Sequence, residues 1–261
     1  MHSPKQNIFS RIFWSTFSSK SEIEKYQKII RDSEWKYLRQ EITPESKFLD
    51  IGCGSGDNIY RAKTELNCQV KGIDPQPGAH GVGRFADENE KLNLIDQGFS
   101  ENLPYLAKEF DIVFSSHVLE HVNDQSQTLQ EMKRVLKDDG TLIIGMPTAA
   151  MSWISFFSYF LFTTHANILA FVKAIPTKQV LKKFLRIFIP PSHSEPHAQT
   201  IFFDLYEYRI AKWRKTVSKE FNIEKVLKPC LYPYPDYIQP FKLKENSWLG
   251  TSSVFFVCKK K

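Results

Sequence analysis

The chain has 261 residues, of which 25% are charged, with 35 Lys and Arg against 29 Asp and Glu. This length suits one α/β domain carrying an insertion, and the positive balance favours anionic partners without choosing among nucleic acid, acidic lipid and acidic sugar. The four cysteines, Cys53, Cys68, Cys230 and Cys258, form no CxxC pair, which argues against a zinc site or a disulfide framework and fits a reducing compartment.

Residues 1–20 are basic and aromatic, and Arg11 interrupts their apolar run with no small-residue cleavage site after it, so a signal peptide is not expected. Residues 21–42 read as a charged amphipathic helix, closed by Thr43-Pro44. Residues 47–51 form a short apolar strand, followed by a glycine cluster and a helix over about 57–66. A second strand over 69–73 ends at Asp74, a third is expected over 91–95, and a fourth over 110–115. A helix over about 125–137 leads through Asp138-Asp139-Gly140 into a fifth strand over 141–146. Strands alternating with helices predict a parallel sheet with crossover helices. Residues 148–200 break the alternation, which resumes with a helix over about 204–219 and strands over 222–227 and 253–259. The expected organisation is an N-terminal helical extension (1–44) and one domain (45–261) with an insertion at 148–203.

The first strand-to-helix junction reads Phe48-Leu-Asp-Ile-Gly-Cys-Gly-Ser-Gly56. Gly52, Gly54 and Gly56 permit a sharp turn and close approach of a ligand to the backbone. The spacing is GxGxG; a GxGxxG dinucleotide loop would need glycine where Asp57 stands. Asp50 would not help to cradle a pyrophosphate, but it suits a ligand bearing an ammonium group. Asp74, 24 residues after Asp50, ends the second strand, where an acid can accept both ribose hydroxyls.

These residues resemble the class I S-adenosylmethionine-dependent methyltransferases, and within them the type 11 methyltransferase domain. FLDIGCGSG is similar to that family's first motif and VKGID, ending at Asp74, to its second. Gly98-Phe-Ser-Glu-Asn-Leu-Pro104 is similar to the segment beside the adenine, and residues 110–124 and 132–147 to the fourth-strand and fifth-strand motifs. The resemblance implies a Rossmann-like α/β fold with a seven-stranded sheet and S-adenosyl-L-methionine as cofactor. The cofactor contacts it implies are Asp50, Gly52, Cys53, Gly54, Gly56, Asp74, Pro75, Ser100, Glu101, Ser116 and His117. Phe99 departs from the family, which often has Asp there to meet the adenine amino group; Ser100, Glu101 or a stacked Phe99 would replace it. Glu120 and His121 read as orienting the local helix.

Three features mark the insertion. Residues 151–175 carry one charge, Lys173, but their serines, threonines, His165 and Asn167 make a membrane span poor, leaving an interfacial helix or a lid. Residues 178–189 place Val180, Leu181, Phe184, Leu185 and Phe188 beside Lys182, Lys183 and Arg186, either for an anionic membrane surface or for packing with the basic face in water. Ser192-His193-Ser194-Glu195-Pro196-His197 precedes Trp213 and Arg214 and weakly resembles a segment of methyltransferases of surface-polysaccharide biosynthesis. His193 or His197 is the candidate general base for an acceptor hydroxyl, against a purely structural loop. The HxExH spacing is weak for a metal and none is expected. Tyr232, Tyr234 and Tyr237 are candidates to wall a sugar or lipid site, against plain surface packing.

The reading is an O-methyltransferase of small molecules in the cytoplasm, with a glycan or lipid-linked sugar as acceptor and peripheral contact with the anionic inner face of the membrane. An isoprenoid-quinone or other lipid-ring methyltransferase and a non-catalytic cofactor-binding scaffold are the alternatives. With no NPPY-like motif and no dense basic tract with interleaved aromatics, a nucleic-acid acceptor is not expected.

Overall fold

The computed structural model describes residues 20–79, 81–190, 201–233, 244–245 and 247–261. Helix α1 (Lys20–Leu38) leads through a short 3-10 turn into β1 (Lys47–Ile51), α2 (Asp57–Leu66), β2 (Gln69–Asp74), α3 (Glu88–Leu94) and β3 (Ile95–Gln97). There follow β4 (Phe110–Ser116), α4 (Gln125–Val135), β5 (Leu136–Pro147), α5 (Ala149–Ala174), α6 (Val180–Phe188), α7 (Ile201–Glu207) and α8 (Ile210–Val217). The chain ends with β6 (Phe221–Leu227), β7 (Cys230–Leu231), β8 (Lys244–Glu245) and β9 (Ser253–Lys260).

Seven strands form one sheet in the order β3-β2-β1-β4-β5-β9-β6, and β9 runs antiparallel to both neighbours. The Rossmann-like seven-stranded sheet implied by the motifs is present. Strand order reverses between β1 and β4, so the carboxyl ends of these strands open the crevice where such sheets bind ligands. The strands alternate between two cores. Leu49, Ile51, Val113 and Ile144 pack with Leu129 and Met132 of α4 and Trp213 of α8. Phe48, Phe114 and Ile143 point the other way, onto Trp35 and Leu38 of α1 and Ile59 and Ala62 of α2.

Three sequence expectations need correction. The turn expected at 138–140 lies inside β5, which starts at Leu136, and an irregularity in its pairing with β4 absorbs those residues. Residues 91–95 are not a strand: α3 runs to Leu94, with Asp87 capping it through a bond from the Asn89 amide, and β3 is only three residues long. Leu92 and Leu94 alternate as in a strand, Leu92 and Ile95 are three apart as on a helix face, and the cap immediately before Glu88 decides for the helix. The helix expected over 204–219 is two, α7 and α8, broken at Tyr208-Arg209. Tyr208 is buried against Trp213, with ring centroids 5.9 Å apart, and the bend lets both rings enter the core.

Phe255 on β9 stacks toward Phe114 on β4 although β5 lies between them, with centroids 6.3 Å apart. Gly145 on β5 pairs with Phe255 and leaves room for the ring: a Cβ there would lie 2.3 Å from it. Phe255 is fully buried and cannot swing aside. Gly145→Ala is therefore expected to cost about 1–3 kcal/mol through overpacking, read as a lower midpoint in urea unfolding.

Candidate functional site

The site starts at the turn after β1. Gly52, Gly54 and Gly56 have φ of 72°, 54° and 84°, left-handed values that other residues adopt only with strain. At Gly52 the constraint is also steric, because a Cβ would sit 2.1 Å from Val118 Cγ2. The amides of Gly52 and Cys53 both donate to the Ile73 carbonyl, at 2.8 and 3.2 Å, and so pin the turn to β2. Asp74 completes the brace. One carboxylate oxygen accepts from the Gly54 amide at 2.8 Å and the other from the Gln76 amide at 2.8 Å. Each carboxylate oxygen has a second lone pair that these bonds leave for a ligand.

Asp50 is buried beneath the turn, and its Oδ2 has no hydrogen-bond partner among the described residues. Burial pushes its carboxyl well above the usual aspartate range, against the opposing influence of a hydrogen bond from Asn58 and the charge of Arg31, while Asp74 and Asp57 add to the rise. A buried acid with an open oxygen fits a ligand that brings a positive charge or a donor. Burial also pushes the Cys53 thiol up, which makes it a packing residue and not a nucleophile.

Beside the turn lies a cleft with about 170 Å³ of open space. Ile51, Gly52, Ile73 and Pro75 form one wall, and Gly98 to Glu101 and Val118 with His121 to Asn123 form the others. Phe99 lines it while remaining 66% exposed, so its ring is available for stacking. The Ser100 hydroxyl is buried and engaged by Glu101 at 3.1 Å and Thr128 at 3.3 Å. Glu101 accepts from the Asn123 amide at 3.2 Å, which fixes the rim. His121, expected only to orient its helix, lines the cleft.

Ser116 and His117 sit at the end of β4, farther from the cleft. The Ser116 hydroxyl oxygen is buried without a hydrogen-bond partner among the described residues. His117, at φ 57°, turns its ring to Ser253 at 3.0 Å and to the buried Glu120 at 3.4 Å. This contact opens onto a buried network not foreseen from sequence. Glu34 of α1 accepts from Ser253 at 2.7 Å, from the Tyr232 hydroxyl at 3.0 Å and from Arg31 at 2.6 Å. Burial alone would raise Glu34; the charges of Arg31 and His117 and the bonds from Ser253 and Tyr232 outweigh it and hold the carboxyl below the usual glutamate range. Tyr232 is thus buried structure and not the wall of an open site. No local signal marks these partners, which lie up to 219 positions apart. His193, His197, Tyr234 and Tyr237 lie outside the described residues. Among the described residues no cluster of His, Cys, Asp and Glu could hold a metal.

A switch-point turn over a buried acid with one open oxygen, and an acid at the end of β2 held by two amides, has the geometry of a nucleoside site in an α/β sheet. Residues 49–144 match the family described as "Methyltransferase domain". Over that segment the chain is similar to the S-adenosylmethionine-dependent methyltransferases. Over 120 residues the chain is 35% identical to a tRNA U34 carboxymethyltransferase of Aeromonas hydrophila, covering 43% of this chain and 36% of that relative. Over 114 residues it is 33% identical to the ubiquinone/menaquinone biosynthesis C-methyltransferase UbiE of Campylobacter jejuni, covering 41% and 46%. The match thus spans less than half the length of these relatives. Among solved structures, the PH0226 protein of Pyrococcus horikoshii superposes with a TM-score of 0.52 at 16% identity, covering 98% of this chain and 99% of that one. A methyltransferase of Aquifex aeolicus gives 0.52 at 14%, covering 94% and 100%. These likenesses show the shared fold.

The raised Asp50 gives a pH-dependent prediction. A carboxyl whose folded value exceeds its unfolded one contributes stability below the unfolded value, 3.8, and loses it as pH rises through the folded value. At neutral pH the buried Asp50 carboxyl therefore burdens the ligand-free protein, which must either bury its charge or keep its proton. Asp50→Asn is expected to raise the urea midpoint at pH 7, with the gain fading as pH falls toward 3.8, while cofactor affinity decreases.

Proposed function

We propose that the protein transfers a methyl group from S-adenosylmethionine to a hydroxyl of a glycan or lipid-linked sugar, in the cytoplasm at the inner face of the membrane. The observation that carries the cofactor half is the left-handed turn braced by Asp74 above the open oxygen of Asp50. In this reading Asp50 meets the methionyl ammonium, directly or through water, and the backbone of Gly52, Cys53, Gly54 and Gly56 lies against the cofactor. The free lone pairs of Asp74 accept the ribose hydroxyls, with Pro75 alongside. Phe99 stacks on the adenine, while the Ser100 and Glu101 backbone meets its edge, the Ser100 hydroxyl being already engaged. Ser116 and His117 face the methyl-transfer side, where the open Ser116 oxygen supplies a polar contact.

The cofactor supplies a methyl on a sulfonium, and the protein aligns the acceptor and excludes water. His193 or His197 takes the proton of the acceptor hydroxyl as its oxygen bonds to the methyl carbon and the carbon–sulfur bond breaks. Residues 45–261 form the catalytic domain, 1–44 an extension, and 148–203 the acceptor-facing insertion. Helix α5 leaves the carboxyl end of β5, the edge that also carries the glycine turn, and this supports an acceptor met through the insertion. The apolar exposed residues of α5 and α6 favour an acceptor with a lipid part.

The second reading is methylation of an isoprenoid-quinone ring, which the same apolar helices and the UbiE relative favour. Relatives named for tRNA U34 leave the sequence argument against a nucleic-acid acceptor without support, so tRNA belongs in the acceptor screen. Turnover separates all three from a scaffold that only binds the cofactor.

Titration with S-adenosylhomocysteine is expected to give micromolar binding, weakened about ten- to a hundredfold in Asp74→Ala through loss of charge-assisted hydrogen bonds. No binding by folded wild type would remove the cofactor reading. His193→Ala or His197→Ala is expected to abolish turnover on hydroxyl acceptors with S-adenosylhomocysteine affinity unchanged. Full turnover in both variants would exclude either histidine as the base.

A further inference from the structure

We infer that helices α5 and α6 form a docking surface for an anionic lipid bilayer, with the outer face of α5 and the stripe of α6 lying in its interface. This deepens the membrane part of the reading above and rests on it, but not on the acceptor.

The first observation is the inverted amphipathicity of α5. A helix on a water-soluble surface turns its polar side outward. Here Ser152, Ser155 and Ser158 are fully buried, on the side facing Met151, Tyr159 and their neighbours in the protein. Trp153, Phe157 and Leu161, spaced by four, point away from it, each more than half exposed. Farther along, Leu169 and Val172 are also more than half exposed. Serines turned inward and aromatics turned outward suit an apolar exterior.

The second observation is α6. Leu181, Phe184, Leu185 and Phe188 recur at helical spacing, so they share one stripe, yet no residue of α6 is buried. A helix packed on the domain by its apolar face would have buried that stripe. The helix meets α5 through a ring contact of Phe171 with Phe184 at 5.4 Å and a hydrogen bond from the Tyr159 hydroxyl to the Arg186 carbonyl.

The third observation is charge, and it selects the occupant. Residues 149–190 contain no Asp or Glu and five cationic side chains, Lys173, Lys178, Lys182, Lys183 and Arg186. A second copy meeting this face with its own would set like charges against each other. Residues 1–19 also contain apolar residues, but their ionisable side chains are His2, Lys5 and Arg11 with no acid, so they too would be repelled. An anionic bilayer satisfies both the apolar and the cationic parts, because interfacial aromatics enter the acyl boundary while Lys and Arg remain among the headgroups. No described helix is long and apolar enough to cross a membrane, which makes the contact interfacial.

The test is sedimentation of the full chain with vesicles of phosphatidylglycerol and phosphatidylcholine, or of phosphatidylcholine alone, with Trp153 emission as a second readout. Wild type is expected to sediment with the anionic vesicles and to shift its emission to the blue, a shift absent from Trp153→Phe. Lys182→Glu/Lys183→Glu is expected to bind at least tenfold more weakly, and Phe157→Ser/Leu161→Ser to lose the emission shift, both with wild-type circular dichroism. Folded wild type left in the supernatant at low salt overturns the inference, as does equal binding to neutral vesicles or wild-type binding by the charge-reversal variant. A dimer that Phe157→Ser/Leu161→Ser dissociates, without vesicle binding, would assign the face to a second copy. Vesicle binding needs neither cofactor nor acceptor, so its failure and a failed S-adenosylhomocysteine titration are read separately.

Discussion

The carboxylate of Asp74 holds two amides at once, those of Gly54 and Gln76, and so ties the end of β2 to the turn after β1. The tie adds to backbone bonds that also hold the turn, from Gly52 and Cys53 to Ile73, from Gly56 to Cys53 and from Gly78 to Gly54. Three consecutive alternate residues in left-handed conformation sacrifice conformational freedom on folding, and glycines lose more of it than any other residue. The compensation comes from backbone bonds to Ile73, from Asp74, and from Val118 pressing where a Cβ of Gly52 would lie. A ligand that uses the remaining lone pairs of Asp74 thus meets a backbone already fixed, and little ordering cost is left to the binding step.

The same economy explains why α1 is inseparable from the site. Asp32 of α1 and Asp57 at the start of α2 share the guanidinium groups of Arg61 and Arg84, with Arg61–Asp57 at 3.0 Å and Arg84–Asp32 at 2.6 Å. Arg84 brings the segment after β2 against both helices. Burial opposes ionisation of Asp32, but bonding to Arg61 and the charges of both arginines prevail and hold it below the usual aspartate range. One residue before Asp32 on α1 and two after it, Arg31 and Glu34 pair at 2.6 Å, and Glu34 also accepts from Tyr232 and Ser253. The helix therefore meets the start of α2 through one set of charges and the start of β9 through another, and displacing it would break both ion-pair sets and unpair the buried Glu34.

Much of this was legible in the sequence, and the exceptions have physical causes. The glycine turn, Asp50 and Asp74 could be read because their constraint is local: a left-handed turn admits few residues, and an acid at a strand end has one place to point. Strands β1, β2, β4 and β9 were legible from short apolar runs between turn signals. β3 was not, since three residues carry too little pattern and the preceding apolar positions fit a helix as well. The break between α7 and α8 was invisible because it follows from where Tyr208 and Trp213 find space in the core. The Glu34 network was invisible for a similar reason. Its members come from α1, the end of β4, the segment at 232 and β9, and only the sheet topology brings them together.

Helix α5 shows how a periodicity argument can miss a real asymmetry. At 26 residues it extends about 39 Å, longer than the ~30 Å apolar thickness of a bilayer, so length does not prevent a span. Composition does, because the serines recur along one side. Those serines are satisfied against the protein and within the helix, as Ser158 is by the Ile154 carbonyl at 2.8 Å. Apolar residues lie on both faces of α5, so hydrophobicity varies little around it, and the sequence alone reads as either a lid or an interfacial helix. Burial breaks that symmetry: the face with the serines is the inner one. Because α5 starts at the carboxyl edge of β5, its outward aromatic face and the acid-free α6 extend from the edge that also carries the glycine turn. One edge of the sheet thus presents both the nucleoside cleft and the apolar, cationic helices, and an amphipathic acceptor could reach the first from the second without crossing the body of the protein.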